Sequence, residues 1–193
     1  CDWSSDVCSS DLLFITGITS YAFFKVGQQV LGKEDFKPVM ALWFVMFTLA
    51  PGFFIPVEQE LGRALAHRRA LGQGGRPVVR RTAPLAAAIT AVLVVAIAAT
   101  SPWITASLFE GHAGVTAALF VGVVGYALCH LSRGIASGSA RFRTYGAVLG
   151  IDSLVRIIAC IVLWLAGVTN VWAYAATVAM SPLVAVGWVW TRG

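Results

Sequence analysis

Long apolar blocks alternate with short polar segments along this chain. A helix needs about 20 mostly apolar residues to cross roughly 30 Å of hydrocarbon, and about six of the blocks reach that length. The blocks predict helices over 12–31, 38–57, 82–104, 113–130, 146–168 and 171–190. The pattern therefore predicts an all-α integral membrane protein with about six transmembrane helices.

Composition supports this class. Hydrophobic residues make up 58% of the 193 positions and charged residues only 12%, with a mean hydropathy of +0.79, which is far more apolar than a soluble domain. The formal net charge is +5, but the cations lie between apolar blocks and form no basic stripe on a soluble face. We therefore expect the lipid bilayer as a partner and no nucleic acid.

The first twelve residues, CDWSSDVCSSDL, differ from the rest of the chain because they combine three aspartates with two cysteines directly before an apolar block. The run DWSSDVCSSDL is also the translation of a common short-read sequencing adaptor. We interpret residues 1–12 as an artefactual leader. Residues 13–193 are then the six-helix transmembrane part.

Arginine distribution predicts the orientation of the chain. The segment 58–81 contains six arginines, and the segment 132–146 contains three more. The alternate segments GKEDFK, TASLFEGHAG and GVTN are nearly neutral. Since arginine and lysine accumulate in cytoplasmic loops, we expect both arginine-rich segments and the N-terminus in the cytoplasm, and a multi-pass protein of the plasma membrane.

Two charged residues lie deep inside the fifth apolar block. Arg156 is about ten residues into that block, which places it roughly 15 Å deep, and Asp152 precedes it by one helical turn on the same face. A charge at this depth is costly and calls for a partner or a function. The pair either neutralises itself among neighbouring helices or lines a hydrated cavity that meets an anionic ligand, and one pair can do both.

Other charged residues have similar alternatives. Lys25 either extends its amine to the membrane interface or adds a second cation to such a cavity. Glu58 and Glu60 either join an interfacial salt-bridge cluster near Arg63 or carry a proton or cation. Arg133 and His130 end the fourth block, where an interfacial cluster is again the simpler reading.

Motifs of enzymes are missing from the sequence. It contains no phosphate-binding glycine loop, no HExxH, no paired CxxC and no serine elbow. We therefore expect no catalytic residues, no metal site and no cofactor. A non-transport membrane enzyme and an assembly subunit remain alternatives to transport.

Three segments carry a resemblance to a known family: LGKEDFKPVMALW, PVEQELGRALAHRRALGQGGRPVVRR and HLSRGIASGSARFRTYG. In order and spacing they resemble the N-terminal half of actinobacterial polysaccharide biosynthesis proteins, which are lipid-linked oligosaccharide flippases of the multidrug/oligosaccharidyl-lipid/polysaccharide exporter superfamily. The resemblance implies one lobe of a two-lobed exporter fold. The second, C-terminal lobe is missing, so the chain is expected to be a fragment of a longer protein.

The resemblance also implies a function. The two lobes would move a polyprenyl-diphosphate-linked oligosaccharide across the membrane by alternating access, for cell-surface polysaccharide synthesis of the O-antigen or lipopolysaccharide type. Candidate contacts to this anionic substrate are Arg156 and Lys25, with Arg133 as a third. The alternative within the superfamily is a cation-coupled multidrug exporter, in which Asp152 or Glu58 would hold the coupling ion.

The predicted orientation is testable by labelling single cysteines in a background without the native ones. Gln73→Cys and Ser137→Cys lie in the arginine-rich segments and should resist a membrane-impermeant thiol reagent applied to intact cells. Asn170→Cys, in the GVTN turn, should react and serves as the control. Labelling of Gln73→Cys from outside would contradict the topology.

Overall fold

Six helices make up the chain in the computed structural model, which describes the backbone of residues 3–192 and the side chains of Phe14 and residues 16–192. The helices are α1 Trp3–Asp35, α2 Lys37–Ala70, α3 Arg76–Ser107, α4 Ala113–Gly138, α5 Phe142–Leu165 and α6 Val171–Arg192. The described part contains no strand, and α2 to α6 are each long and apolar enough to cross a membrane. The predicted all-α membrane fold is confirmed.

Helix α1 leads into α2 through a sharp break. Gly32 has φ 82° and ψ 168°, a backbone conformation that residues other than glycine rarely adopt. Phe36 follows this break and is fully buried, and one edge of its ring lies where a Cβ on Gly27 would stand. The side chains of residues 1–12 lie outside the described residues. The interpretation of these residues as an artefactual leader therefore stays a prediction.

Helices α2 and α4 extend well beyond their apolar blocks into the arginine-rich segments. Helix α2 continues to Ala70 and α4 to Gly138, while α3 and α5 begin before their own apolar blocks. Arginine, leucine, alanine and glutamate all favour helix, so polarity does not end these helices. Between α2 and α3 only residues 71–75 are non-helical, and between α4 and α5 only residues 139–141. A positive φ at Gly72 and Ala140 turns the chain at these two places.

Helix α4 is the central element of the bundle. It packs against α2, α3, α5 and α6, whereas α1 packs mainly on α5 and also touches α2 and α6. Helix α3 lies at the periphery, because only three of its residues are buried, namely Ala86, Leu93 and Ile97. Large apolar side chains such as Val92 and Trp103 are exposed, as expected of a surface that faces lipid.

Glycines bring α2 and α4 together at the arginine-rich end, which we define as the end that carries residues 71–75 and 139–141. A Cβ on Gly134 would lie 2.9 Å from the carbonyl oxygen of Glu58, and one on Gly138 would lie 2.7 Å from the carbonyl oxygen of Gly62. Both neighbours are backbone atoms and cannot move aside cheaply. The two helices therefore cross in close contact, which sets the position of Glu58 against α4.

This crossing should not tolerate a methyl group. Gly134→Ala should lower stability by about 1–3 kcal/mol through overpacking, although alanine favours helix over glycine by roughly 1 kcal/mol. Gly187→Ala is the matched control, since a Cβ there meets nothing within 4 Å, and it should leave stability unchanged or raised. Thermal unfolding of both variants in detergent, followed by size-exclusion chromatography, measures the difference. Equal unfolding temperatures would contradict the role of Gly134.

Candidate functional site

Asp152 and Arg156 form a buried ion pair in the middle of α5. Arg156 Nη2 donates to Asp152 Oδ2 at 2.6 Å. Asp152 is 8% exposed and Arg156 is 2% exposed. The i,i+4 spacing places both side chains on one face of the helix. That face is turned toward the other helices, as the cost of a lone charge in hydrocarbon requires.

Neighbouring helices complete the surroundings of this pair. Ser181 of α6 donates to Asp152 Oδ1 at 2.7 Å, and Arg156 Nη2 donates to the hydroxyl of Tyr126 on α4 at 3.1 Å. From α2, the ring of Phe47 lies 5.5 Å from the Arg156 guanidinium carbon, within reach of a cation–π contact. The pair thus connects four helices, and Arg156 Nε is left buried without a hydrogen-bond partner among the described residues.

A second polar cluster, which we call the Glu58 cluster, consists of Glu58, His130, Arg133 and Tyr145. His130 Nδ1 and Glu58 Oε2 share a hydrogen bond of 2.6 Å. Arg133 Nη2 lies 3.2 Å from Glu58 Oε1 and donates to the Tyr145 hydroxyl at 2.7 Å. The cluster joins α2, α4 and α5 at the arginine-rich end of the bundle.

The two carboxylates predicted near Arg63 therefore separate in the structure. Glu60 pairs with Arg63 on the exposed surface of α2, with Arg63 Nη2 2.7 Å from its carboxylate. Glu58, which lies two residues earlier on the same helix, points inward and is 7% exposed. Helical rotation explains the division, because positions two apart lie about 200° apart around the axis.

A small cavity of ≈ 120 Å³ lies between the ion pair and the Glu58 cluster. Four helices line it, and its polar wall is formed by Thr16, Tyr126, Cys129, His130, Arg133, Asp152 and Ser153. Across it, Ser153 donates to the Thr16 hydroxyl at 3.3 Å, which ties α5 to α1. The cavity is polar enough to hold water.

A wider cavity of ≈ 650 Å³ opens at the arginine-rich end between α2, α4 and α5. Its polar lining includes Glu58, Gln59, Arg63, Arg133, Ser137 and Tyr145. Arg133 and Ile55 line both this cavity and the small one. Arg133 thus stands at the boundary between the wide cavity and the interior of the bundle.

The structure places the three predicted cations differently. The side chain of Arg156 is 3% exposed and lines neither of these cavities. That of Arg133 is 17% exposed and lines both. Lys25 is exposed on α1, and no described residue joins it to Arg156. The structure brings together Arg133 with Glu58, and Arg156 with Asp152, but not Lys25 with either.

Sequence reasoning missed four partners of these groups, which are Phe47, Tyr126, Tyr145 and Ser181. Two of them carry a usable signal: Tyr126 and Ser181 are polar residues within apolar blocks. Their contacts across helices could not be read from one helix, because which faces meet depends on how α4, α5 and α6 are rotated against one another.

The described residues thus define a multi-pass, all-α membrane protein with two buried charged clusters beside cavities. Comparison with models of protein families, with curated proteins and with solved structures finds no match to the chain.

The Asp152–Arg156 pair generates a prediction about stability. Arg156→Gln should destabilise the protein by about 3–5 kcal/mol, since it leaves Asp152 charged and unpaired in the interior. The double variant Asp152→Asn with Arg156→Gln removes both charges and should recover most of that loss. Membrane abundance and thermal unfolding of the two variants measure the effect. A double variant no more stable than Arg156→Gln would contradict mutual neutralisation.

Proposed function

We propose that the chain forms one six-helix lobe of a transporter that moves a polyprenyl-diphosphate-linked oligosaccharide across the plasma membrane by alternating access. The second lobe would belong to the same, longer protein. The family resemblance of three segments supports this proposal, and so does an all-α bundle with cations placed among its helices. The arginine-rich end would face the cytoplasm, where lipid-linked sugars meet the carrier.

The observation that carries the proposal is the position of Arg133. Its side chain borders the ≈ 650 Å³ cavity at the arginine-rich end, which is large enough for a charged head group. Its Nε–H is buried and has no hydrogen-bond partner among the described residues, as is also the case for Arg156, but the Arg156 side chain does not line this cavity whereas that of Arg133 does. A planar guanidinium with spare donors suits the oxygens of a diphosphate.

The partners of Arg133 allow an exchange of anions. Glu58 is hydrogen-bonded to His130 and forms an ion pair with Arg133, so the carboxylate keeps its hydrogen bond when Arg133 turns to a phosphate. Tyr145 holds the guanidinium from the other side, with its ring centroid 5.0 Å away. In this proposal, Glu58 occupies Arg133 in the empty lobe and the diphosphate replaces it during transport.

Arg156 has a different part in this proposal. Its charge is already balanced by Asp152 and enclosed by Tyr126 and Phe47, so it holds α5 against α2 and α4. The direct contact to substrate falls to Arg133. Lys25 lies on the exposed surface of α1, where a second lobe could cover it.

A cation-coupled exporter of drugs is the second candidate function. The observation in its favour is that two buried carboxylates, Asp152 and Glu58, lie beside α4 with the ≈ 120 Å³ cavity between their clusters. A bound proton or Na⁺ there would have carboxylate and hydroxyl oxygens available. The two candidates differ in which charge is indispensable: the cation at Arg133 for the flippase, or the carboxylate at Asp152 for the exporter.

The test is a transport assay in the full-length protein, normalised to protein in the membrane. Arg133→Gln should lower flipping of the lipid-linked oligosaccharide by at least about tenfold, the effect of losing roughly 1.4 kcal/mol of charge-assisted binding. Arg133→Lys should retain part of it, since the charge survives but the bidentate fork does not. Arg143→Gln is the matched control, because Arg143 is exposed at the same end, and it should transport normally.

Three other outcomes of these experiments would argue against the proposed role of Arg133 or against a flippase. Full flipping by Arg133→Gln would contradict the proposed contact to the diphosphate. Loss of transport in Asp152→Asn with Arg156→Gln, at normal abundance and with Arg133 intact, would favour ion coupling through Asp152. Coupled efflux of a cationic drug that stops in this double variant would support the exporter instead.

A further inference from the structure

An apolar groove runs along the outer side of the bundle between α3 and α4. Its volume is ≈ 450 Å³. The residues that line it are Ala83, Ala86, Ala87, Thr90, Ala91 and Val94 of α3, with Val124, Ala127, Leu128 and Leu131 of α4. Thr90 donates its hydroxyl to the carbonyl oxygen of Ala86 at 2.7 Å, so no polar hydrogen is left unused in the groove.

Small side chains create this groove. Alanine occupies four of the six lining positions on α3, where larger residues would fill the space against α4. From Ala83 to Val94 the groove extends for about 16 Å of helical rise. One leaflet of the hydrocarbon core is roughly 15 Å deep, so the groove matches the depth of a single leaflet.

Two arginines continue the same stripe of α3 beyond the groove. Arg76, Arg80, Ala83 and Ala87 follow one another at spacings of four, three and four residues, which keeps them on one face of the helix. Arg76 and Arg80 are exposed, and no described residue forms an ion pair or a side-chain hydrogen bond with either. The apolar groove thus ends next to two guanidinium groups that have no ion-pair partner among the described residues.

We propose that this groove, together with Arg76 and Arg80, binds an anionic phospholipid of the surrounding bilayer. An acyl chain fills the alanine-lined slot, and the phosphate accepts hydrogen bonds from the two guanidinium groups at the depth of the lipid head groups. Basic residues at the end of an intramembrane groove select anionic over neutral lipids by charge. The occupant is a lipid because the groove faces the periphery, where α3 exposes most of its surface.

This site is separate from the proposed transport site. Leu128 and Leu131 face the groove, whereas His130 and Arg133 line the inner cavities. Leu128 and His130 are two positions apart on α4 and so lie about 200° apart around its axis. The inference does not depend on the function proposed above, and a lipid seated here would steady the peripheral α3 against α4.

Native mass spectrometry of the detergent-solubilised 193-residue chain, titrated with single lipids, tests the head-group contact. Dioleoyl phosphatidylglycerol should bind at least about tenfold more tightly than dioleoyl phosphatidylcholine, given two arginines near the phosphate. Arg76→Gln with Arg80→Gln should abolish that preference. The control, Arg69→Gln with Arg143→Gln, removes two exposed charges from the same end and should keep it.

The chain contact is tested by filling the groove. Ala87→Leu with Ala91→Leu should weaken binding of both lipids, while Ala88→Leu with Ala96→Leu, at exposed α3 positions outside the groove lining, should not. Equal affinity of the wild-type chain for the two lipids would overturn the proposal, even where a variant fails to fold. So would unchanged lipid binding by the groove-filling variant, or an unchanged preference in the arginine variant.

A third measurement separates a bilayer lipid from an isoprenoid carrier. Undecaprenyl phosphate offers a similar anionic head on a different chain. It should displace phosphatidylglycerol only in excess if the groove is built for acyl chains. Displacement at equimolar or lower concentration would assign the groove to the carrier and overturn the proposal for a bilayer phospholipid.

Discussion

The close crossing of α2 and α4 is the constraint on which the interior of this bundle depends. Gly134 and Gly138 let the backbone of α2 approach within contact distance, and membrane helices gain most of their association energy from such close packing. The crossing carries Glu58 to His130 and Arg133. A larger residue at either glycine would move the carboxylate away from both partners and leave three polar groups unsatisfied in an apolar region.

Buried charges in this protein are arranged as local, nearly neutral groups. Asp152 balances Arg156, and Glu58 balances Arg133 with His130 beside it. Neutralisation reduces the cost of removing charges from water but does not eliminate it, so each group also draws hydroxyl donors or aromatic rings from other helices. The two groups differ in access: Arg156 is enclosed, whereas Arg133 borders both cavities.

Helix α4 separates two environments. One side carries the polar residues of the inner cavities, such as His130 and Arg133, and the opposite side presents Leu128 and Leu131 to the groove on α3. This division follows from helical periodicity, since polar and apolar positions recur on different faces. A polar interior and a lipid-facing exterior can thereby share one helix.

The sequence by itself determined the class of the protein, the positions of the five apolar helices α2 to α6 and the identity of the costly charges. Apolar blocks of about 20 residues specify membrane helices without reference to their neighbours, and the spacing of Asp152 and Arg156 already places both on one face. It did not determine where α2 and α4 end, because arginine-rich segments remain good helix formers. Only the tertiary structure decided that Glu58 turns inward while Glu60 stays outside, that Ser181 and Tyr126 complete the ion pair, and that Arg133 is the more accessible arginine. Those outcomes depend on the rotation and close approach of whole helices, and a single-chain pattern of polarity does not encode which faces meet.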